Sequence, residues 1–432
     1  MREPEATALP GRSIFYGWWI LAGAVAAMAL GSGVSFWSFQ LYVDPLETEF
    51  GWSRAQVSLG FSFSLLVAGL TGPLVGRWVD ARGARSAIVV GGALASLSYL
   101  LLATTDSLWQ WYVYNCINAA FRHLMFFIPF QALISRWFDR RRGLALGVLA
   151  TGFSMGGFIV VPVMRAVIDA FGWDGSFVFS GAVVAALYLP LGLLLVRNSP
   201  AEIGAFADGE PPPADEPDRP VHSASGFTLG QALRTPYFWV LAAAMTLFFY
   251  GLFGWLVHLV PFYESIGVSR SVAALLVSLA AGFGILARLA FGALADRIRR
   301  LEFAAMGLLA FLMAAVTALI IDSGPAGIAV FIVFWVAGSG GGPLLEPLLL
   351  PRAFGLAHFG AILGTFGVIE TVGLIASPAI TGLIFDSTGS YDWALVMFVA
   401  AHALAFVLFL VAGRMRLPTF AAPEPALAAR WT

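Results

Sequence analysis

Gly76-Arg77-Trp78-Val79-Asp80-Ala81-Arg82-Gly83-Ala84-Arg85 stands between two long apolar runs, and Gly292-Ala293-Leu294-Ala295-Asp296-Arg297 stands between two more. The segments are in register, since 292 − 76 = 216 and 296 − 80 = 216. The same offset pairs Gly51-Trp52-Ser53-Arg54 with Gly267-Val268-Ser269-Arg270, and Ser62 with Ser278. An offset of 217 pairs Gly143, Gly147, Gly156, Asp169 and Gly172 with Gly360, Gly364, Gly373, Asp386 and Gly389. An offset of 220 pairs Trp19 with Trp239 and Gly31 with Gly251. Glycine is common here, so a single match means little. Consistent offsets across four helix pairs read as an internal duplication at half the chain length.

The apolar runs themselves place the chain in a bilayer. Of 432 residues, 59% are hydrophobic and 11% charged, against about 25% charged in a soluble domain. Runs of about 20 apolar residues recur, each long enough to cross a hydrocarbon core of ~30 Å. Spans are expected near 15–42, 54–79, 86–105, 107–136, 142–168 and 174–197, then near 237–262, 271–295, 302–321, 325–350, 357–385 and 391–413. The first run continues into further spans without a clear cleavage site, so it reads as a helix that stays and not as a signal peptide. The expected fold is therefore all-α and integral to the membrane, with twelve transmembrane helices in two pseudo-symmetric six-helix halves.

Charge placement orients the chain. With the N-terminus (1–14) in the cytoplasm, Arg77, Arg82, Arg85, Arg136, Arg140, Arg141, Arg142, Arg197, Arg219, Arg234, Arg297, Arg299, Arg300, Arg352, Arg414 and Arg416 fall on that side. The opposite loops hold mainly acids such as Asp44, Glu47, Asp106, Asp174, Glu264 and Asp392, with Arg54 and Arg270 as the basic residues. This is the positive-inside pattern, and it puts both termini, including 414–432, in the cytoplasm. An inner (plasma) membrane location is expected. The six-helix bundles 15–197 and 237–413 are joined by 198–236, which contains Gly209-Glu210-Pro211-Pro212-Pro213 and reads as a flexible linker.

The chemistry of soluble classes is missing. Net charge is −1, so nothing points to nucleic acid. The lone Cys116 cannot form an intrachain disulfide or a Cys-rich metal site. Gly338-Ser339-Gly340-Gly341-Gly342-Pro343 lacks the strand and lysine of a phosphate loop and reads as helix–helix contact or a gating segment. No nucleophile or metal constellation is present, so no enzyme activity, metal or cofactor is expected.

In the two loops quoted first, glycine permits close helix approach, aspartate can sit at a helix N-terminus or pair with arginine, and a further glycine turns the chain. They resemble the signature of the major facilitator superfamily, Gly-x-x-x-Asp-Arg/Lys-x-Gly-Arg-Arg/Lys. Gly76, Asp80, Gly83 and Arg85 match the first copy; Gly292, Asp296 and Arg297 match the second. Ala81 stands where the family usually has a basic residue, and the second copy lacks the following glycine. Within that superfamily the chain is similar to the bacterial monocarboxylate-transporter-like branch, which includes oxalate/formate exchangers. The residues are Tyr16-Gly17-Trp18-Trp19, Gly51-Trp52-Ser53-Arg54, Arg136-Trp137-Phe138, Arg140-Arg141-Arg142-Gly143, His258-Leu259-Val260-Pro261 and Phe385-Asp386-Ser387-Thr388-Gly389-Ser390-Tyr391. The resemblance implies small organic anions as substrates, moved by proton symport or anion exchange.

Charges inside the spans are the remaining signal, because a charge in hydrocarbon costs several kcal/mol without a wet cavity or partner. Arg288 lies eight residues before Asp296, ~12 Å along the helix and near the midplane. Its repeat partner is Gly72, since 288 − 216 = 72, so the duplicated scaffold does not require an arginine there. It reads as a guanidinium fork for a carboxylate, or as one side of an ion pair with Glu346 or Glu370. The resemblance agrees with the first reading, placing an arginine ahead of the second Gly-x-x-x-Asp, but the aspartate of animal relatives is replaced by Gly284. Arg122 is a second substrate-binding candidate, with a buried ion pair as its alternative. Glu370, Glu346 and His123 are proton-coupling candidates; Glu370 could instead be a fixed counter-ion for Arg122 or Arg288, and His123 a satisfied core histidine. His258 reads as an interfacial hydrogen-bonding residue.

The resulting expectation is an alternating-access secondary carrier, working as a monomer in the lipid bilayer, with a small organic anion and protons as its partners. The alternatives are a proton-driven exporter of drugs or metabolites, and a non-transporting membrane sensor or assembly subunit.

Overall fold

A computed structural model describes residues 14–211 and 226–418. Most of the expected terminal segments 1–14 and 414–432, the middle of the linker, and Arg219 lie outside the described residues. Among the described residues, ten helical runs are long and apolar enough to cross a membrane. Two of them double back at a glycine with left-handed backbone: Arg54–Ala103 at Gly83 (φ 81°) and Arg142–Leu195 at Gly172 (φ 78°). A side chain is strained at such φ values, and glycine is not. Splitting both runs gives 10 + 2 = 12 spans, in accord with the expected fold.

We label them α1 (Tyr16–Phe50), α2 (54–82), α3 (84–103), α4 (Leu108–Trp137), α5 (142–171), α6 (173–195), α7 (Pro236–Ser265), α8 (Arg270–Ala295), α9 (Leu301–Ile321), α10 (Pro325–Phe354), α11 (Phe359–Thr388) and α12 (Asp392–Arg414). Local sequence starts and stops them. Ser53 caps α2 in a reciprocal box with Gln56, its hydroxyl accepting from Gln56 N at 3.2 Å and Gln56 Oε1 accepting from Ser53 N at 2.9 Å. Gly389, 217 residues after Gly172, ends α11 with the same left-handed turn (φ 70°). The spans are not uniform cylinders. α1 has a π-helical turn at Gly33–Trp37, α5 has one at Gly156–Val160, and α4 breaks at Phe126 (φ −106°, ψ −111°). Interruptions of this kind are enriched at functional sites.

The halves meet along two crossings at the arginine-rich end. In one, α2 packs on α11 with Gly69 against Thr371, Gly72 against Gly364 and Gly76 against Gly360. In the other, α5 packs on α8 with Gly143 against Gly292 and Gly147 against the backbone of Arg288. Each crossing is locked by an aspartate of one half on a helix N-terminus of the other. Asp80 Oδ1 and Oδ2 accept from Gly360 N at 2.9 Å and Ala361 N at 2.8 Å. Asp296 Oδ1 and Oδ2 accept from Gly143 N at 2.6 Å and Leu144 N at 3.1 Å. Of the two uses read for the motif aspartates, the helix N-terminus is the one found. Arg85 does not pair with Asp80: its head bonds the Gly192 and Leu193 carbonyls at 3.0 and 2.7 Å, and its backbone N–H bonds Asn198. Arg297 is exposed.

At the other end the halves part. Over 54–66 the buried residues of α2 are Val57, Gly60 and Ser64, and all three contact Trp111 or Asn115 of their own half. Ser58 and Ser62 of α2 and Ser278 of α8 are exposed. The chain is thus closed at the arginine-rich end, and the exposed polar residues at the opposite end read as the lining of a cleft between the halves. Arg165, which the sequence assigns to neither end, pairs with Asp169.

The linker is not wholly unpacked. Asp208 Oδ2 accepts from Asp139 N and Arg140 N at 3.0 and 2.7 Å, and Arg140 pairs with Glu210 at 2.7 Å. Phe227 packs on Phe354, and Leu229–Leu233 is a short capped helix. The polar, proline-rich composition hid these contacts; residues 212–225 are not described. The glycine run 338–342 packs on Leu308 and Leu312 of α9, Ala287 of α8 and Phe248 of α7, as helix–helix contact requires.

Two outcomes test this closure. In Asp80→Asn one charged acceptor is lost, and hydrogen bonds to charged groups contribute ~1.5–3 kcal/mol. That shifts the population toward the state open at the arginine-rich end by roughly tenfold or more, so transport slows while insertion is retained; wild-type turnover would show the aspartate to be dispensable. In Gly364→Val the new Cβ runs into the Gly72 carbonyl and Pro73 N. Spin labels at the exposed positions 82 and 299 are then expected to move apart, and an unchanged distance distribution contradicts the assignment of this crossing.

Candidate functional site

α8 carries Arg288 one turn before Gly292, so its backbone lies in the closing layer, against Gly147, while its side chain extends away from that layer. There Arg288 Nη1 donates to Ser154 Oγ of α5 at 2.5 Å, a bond from one half to the other. Arg288 Nε is buried with no acceptor. Among the described residues no carboxylate pairs with this guanidinium. The expected alternative, an ion pair with Glu346 or Glu370, is absent. At the repeat-related crossing Gly72 faces Gly364, so an arginine stands where symmetry would put hydrogen.

The wall beside Ser154 is aromatic. Phe153 lies 5.3 Å from Phe36, 5.5 Å from Trp37 and 5.6 Å from Phe127 between ring centroids. Its carbonyl accepts from Trp37 Nε1 at 2.8 Å and Ser32 Oγ at 3.0 Å, which ties α1 to α5 beside their π-turns. The arrangement offers a fixed cation in one half, a hydroxyl opposite, and an apolar shelf at hand. A carboxylate fits the guanidinium bidentately, and a small organic body fits the rings.

Arg122 points elsewhere. It lines a cavity of about 20 Å³ inside the N-terminal half, with Ser64, Tyr99, Asn115 and Asn118 among its walls. That is room for about one water molecule. Neither the counter-ion pairing of Arg122 with Glu370 nor a shared site with Arg288 is found. Among the described residues no acid pairs with Arg122. His123 Nδ1 is 3.1 Å from Thr71 Oγ1 within the same half, and the residue is half-buried. His258 contacts Tyr391 Oη at 3.3 Å and the Pro378 carbonyl at 3.0 Å. Glu346 of α10 and Glu370 of α11 are electrostatic neighbours, each with one buried carboxyl oxygen unpartnered. The sequence reading named both acids but did not pair them.

Ser154 and Phe153 were missed. Ser154 is seven residues after Gly147, two helical turns on the same face of α5, which is the signal that could have found it.

Comparison with known proteins agrees with this architecture. The chain is 27% identical over 410 residues to the oxalate:formate antiporter of Oxalobacter formigenes, covering 94% of this chain and 92% of that one. It is 30% identical over 398 residues to human monocarboxylate transporter 11, covering 87% and 78%. In three dimensions it superposes on the transporter FucP in its outward conformation with TM-score 0.71 at 14% identity, covering 93% of this chain and 100% of that one. The family model of the Major Facilitator Superfamily matches residues 13–351, and the chain belongs to that superfamily.

Proposed function

We propose that this protein is a secondary carrier of small organic anions, with Arg288 as the anion receptor. The observation that carries the reading is a guanidinium that bonds from one half to the other, with no acid beside it among the described residues. Burying an unpaired charge is costly unless a counter-charge arrives. Relatives named for oxalate, formate and monocarboxylates have cargo of the matching charge.

Alternating access follows from the two layers. The receptor sits directly above the closing layer, because the Arg288 backbone packs on Gly147 there. An anion entering the cleft competes with Ser154 for Arg288. Exit on the other side requires Asp80 and Asp296 to leave their helix N-termini and the glycine crossings to part. One chain supplies both walls of the cleft, so a monomer suffices. The arginine asymmetry supports an inner-membrane protein with the closed end and both termini in the cytoplasm. A reporter fused at the C-terminus is expected to read cytoplasm; a signal from the opposite side overturns that orientation.

The receptor is tested on purified variants by ligand-induced thermal shift and by uptake into proteoliposomes, with oxalate, formate and lactate as probes. Losing a charge-assisted contact of ~1.5–3 kcal/mol weakens binding roughly tenfold or more. Arg288→Ala is expected to insert but lose carboxylate binding. Arg288→Lys keeps a charge without the fork and retains at most weak transport. If Arg288→Ala binds and carries a carboxylate like wild type, the anion-carrier reading fails and an exporter of other solutes takes its place.

A further inference from the structure

The cavity beside Arg122 is built wholly from the N-terminal half. α1 contributes Ser35, α2 Ser64, α3 Tyr99, and α4 Asn115, Asn118 and Arg122 to its polar wall. No acidic residue lines it. Among the described residues the Arg122 guanidinium makes no ion pair. The polar neighbours are bonded elsewhere. Ser64 Oγ donates to the Gly60 carbonyl at 2.9 Å, and Ser35 Oγ donates to the Gly31 carbonyl. Asn115 Nδ2 donates to the Trp111 carbonyl at 2.8 Å, and Asn118 Nδ2 donates to Ser98 Oγ at 3.0 Å. Tyr99 is the exception: its Oη is buried without a hydrogen-bond partner among the described residues.

What remains facing the cavity is a permanent positive charge and an unspent O–H donor. A buried charge without a counter-charge is costly, and arginine cannot shed its proton to escape that cost. One water molecule would satisfy the Tyr99 hydroxyl but leave the charge uncompensated. An anion answers both. Size decides which anion. The cavity measures about 20 Å³, room for about one water molecule. Even formate has three heavy atoms, so no carboxylate fits. Chloride is a single sphere little larger than water. We propose that this cavity is a halide site, filled by chloride, with Arg122 as the counter-charge and the Tyr99 hydroxyl as a donor. The site is separate from the Arg288 receptor and does not rest on the anion-carrier reading.

Its place in the fold gives the ion a task. Ser35 belongs to the π-turn of α1, Gly33–Trp37. The next two residues of that turn, Phe36 and Trp37, meet Phe153 in the aromatic wall near Arg288. Phe61 of α2 lines the cavity and lies 5.5 Å from Phe36 between ring centroids. The halide thus stands behind the aromatic wall, on the same turn of α1. Filling the cavity ties α1, α2, α3 and α4 around one charge and steadies the wall from within the N-terminal half.

The test uses the purified full chain, with chloride exchanged for gluconate at constant ionic strength. A ligand that binds only the folded state raises its melting temperature. Wild type is expected to melt higher as chloride or bromide is added, with saturation, and not to respond to sulfate, which is too large. In Arg122→Gln the halide response is lost. In Tyr99→Phe the ring stays and the donor goes, so the half-saturating chloride concentration rises about tenfold. Arg288→Ala keeps the wild-type halide response, because that arginine is not in the cavity. Equal melting of wild type in chloride and gluconate overturns the proposal. So does a halide response that survives Arg122→Gln, is unmoved by Tyr99→Phe, or disappears in Arg288→Ala. Should Arg122→Gln fail to fold, diffraction from wild-type crystals grown in bromide decides: an anomalous peak between Arg122 and Tyr99 is expected, and a cavity holding water or nothing overturns the site.

Discussion

The whole arrangement depends on a carboxylate of one half resting on the exposed amides of a helix in the other. A helix N-terminus has unsatisfied N–H groups and a partial positive charge. Asp80 supplies α11 and Asp296 supplies α5, and each uses both carboxylate oxygens. The bond is strong because it is charge-assisted, yet it is made of two groups that water at the membrane surface can also satisfy. It therefore holds without being permanent. The glycines beside it matter for the same reason: the carboxylate reaches the amides only where backbones approach closely, at Gly76–Gly360 and Gly143–Gly292.

Function enters where the duplication is broken. The α2–α11 crossing is glycine on glycine at 72 and 364, and the repeat-related α5–α8 crossing is Gly147 on Arg288. The backbone of the two crossings stays comparable because Arg288 keeps only its main chain in the contact. Its side chain is sent toward Ser154. The carboxyl pair Glu346–Glu370 is a second departure, confined to the C-terminal half. The N-terminal half contributes aromatic surface and a hydroxyl. One half is thus charged and the other receptive, an asymmetry that a symmetric scaffold tolerates because each feature hangs on a side chain and not on the crossing.

Much of this was legible in the sequence because it is periodic or local. Spans follow from apolar length, the twofold repeat from constant offsets, and the turns at Gly83 and Gly172 from residues in the chain itself. The motif aspartates were readable as caps or as arginine partners, and only the packed halves show which. Arg85 illustrates the limit: the motif aspartate could have paired with an arginine, but the partners of Arg85 are carbonyls of α6 more than 100 residues away. The same limit separates Arg122 from Arg288. Both are mid-span arginines, and only helix rotation within the bundle tells that one lines an internal cavity and the other the gap between halves. Glu346 and Glu370 are 24 residues apart, on antiparallel helices whose relative register no pattern in the sequence fixes.

The charge balance of the interior bears on why the proposed receptor is an arginine. Among the described residues, neither Arg288 nor Arg122 has an acid beside it, and Glu346 and Glu370 neighbour each other and not an arginine. A lysine at position 288 could shed its proton when desolvated and so relieve the cost of standing unpaired. Arginine holds its charge, so its cost persists until an anion arrives. A guanidinium that had found Glu346 or Glu370 would need no cargo. Keeping the acids together, away from the arginine, leaves the cation available to a carboxylate.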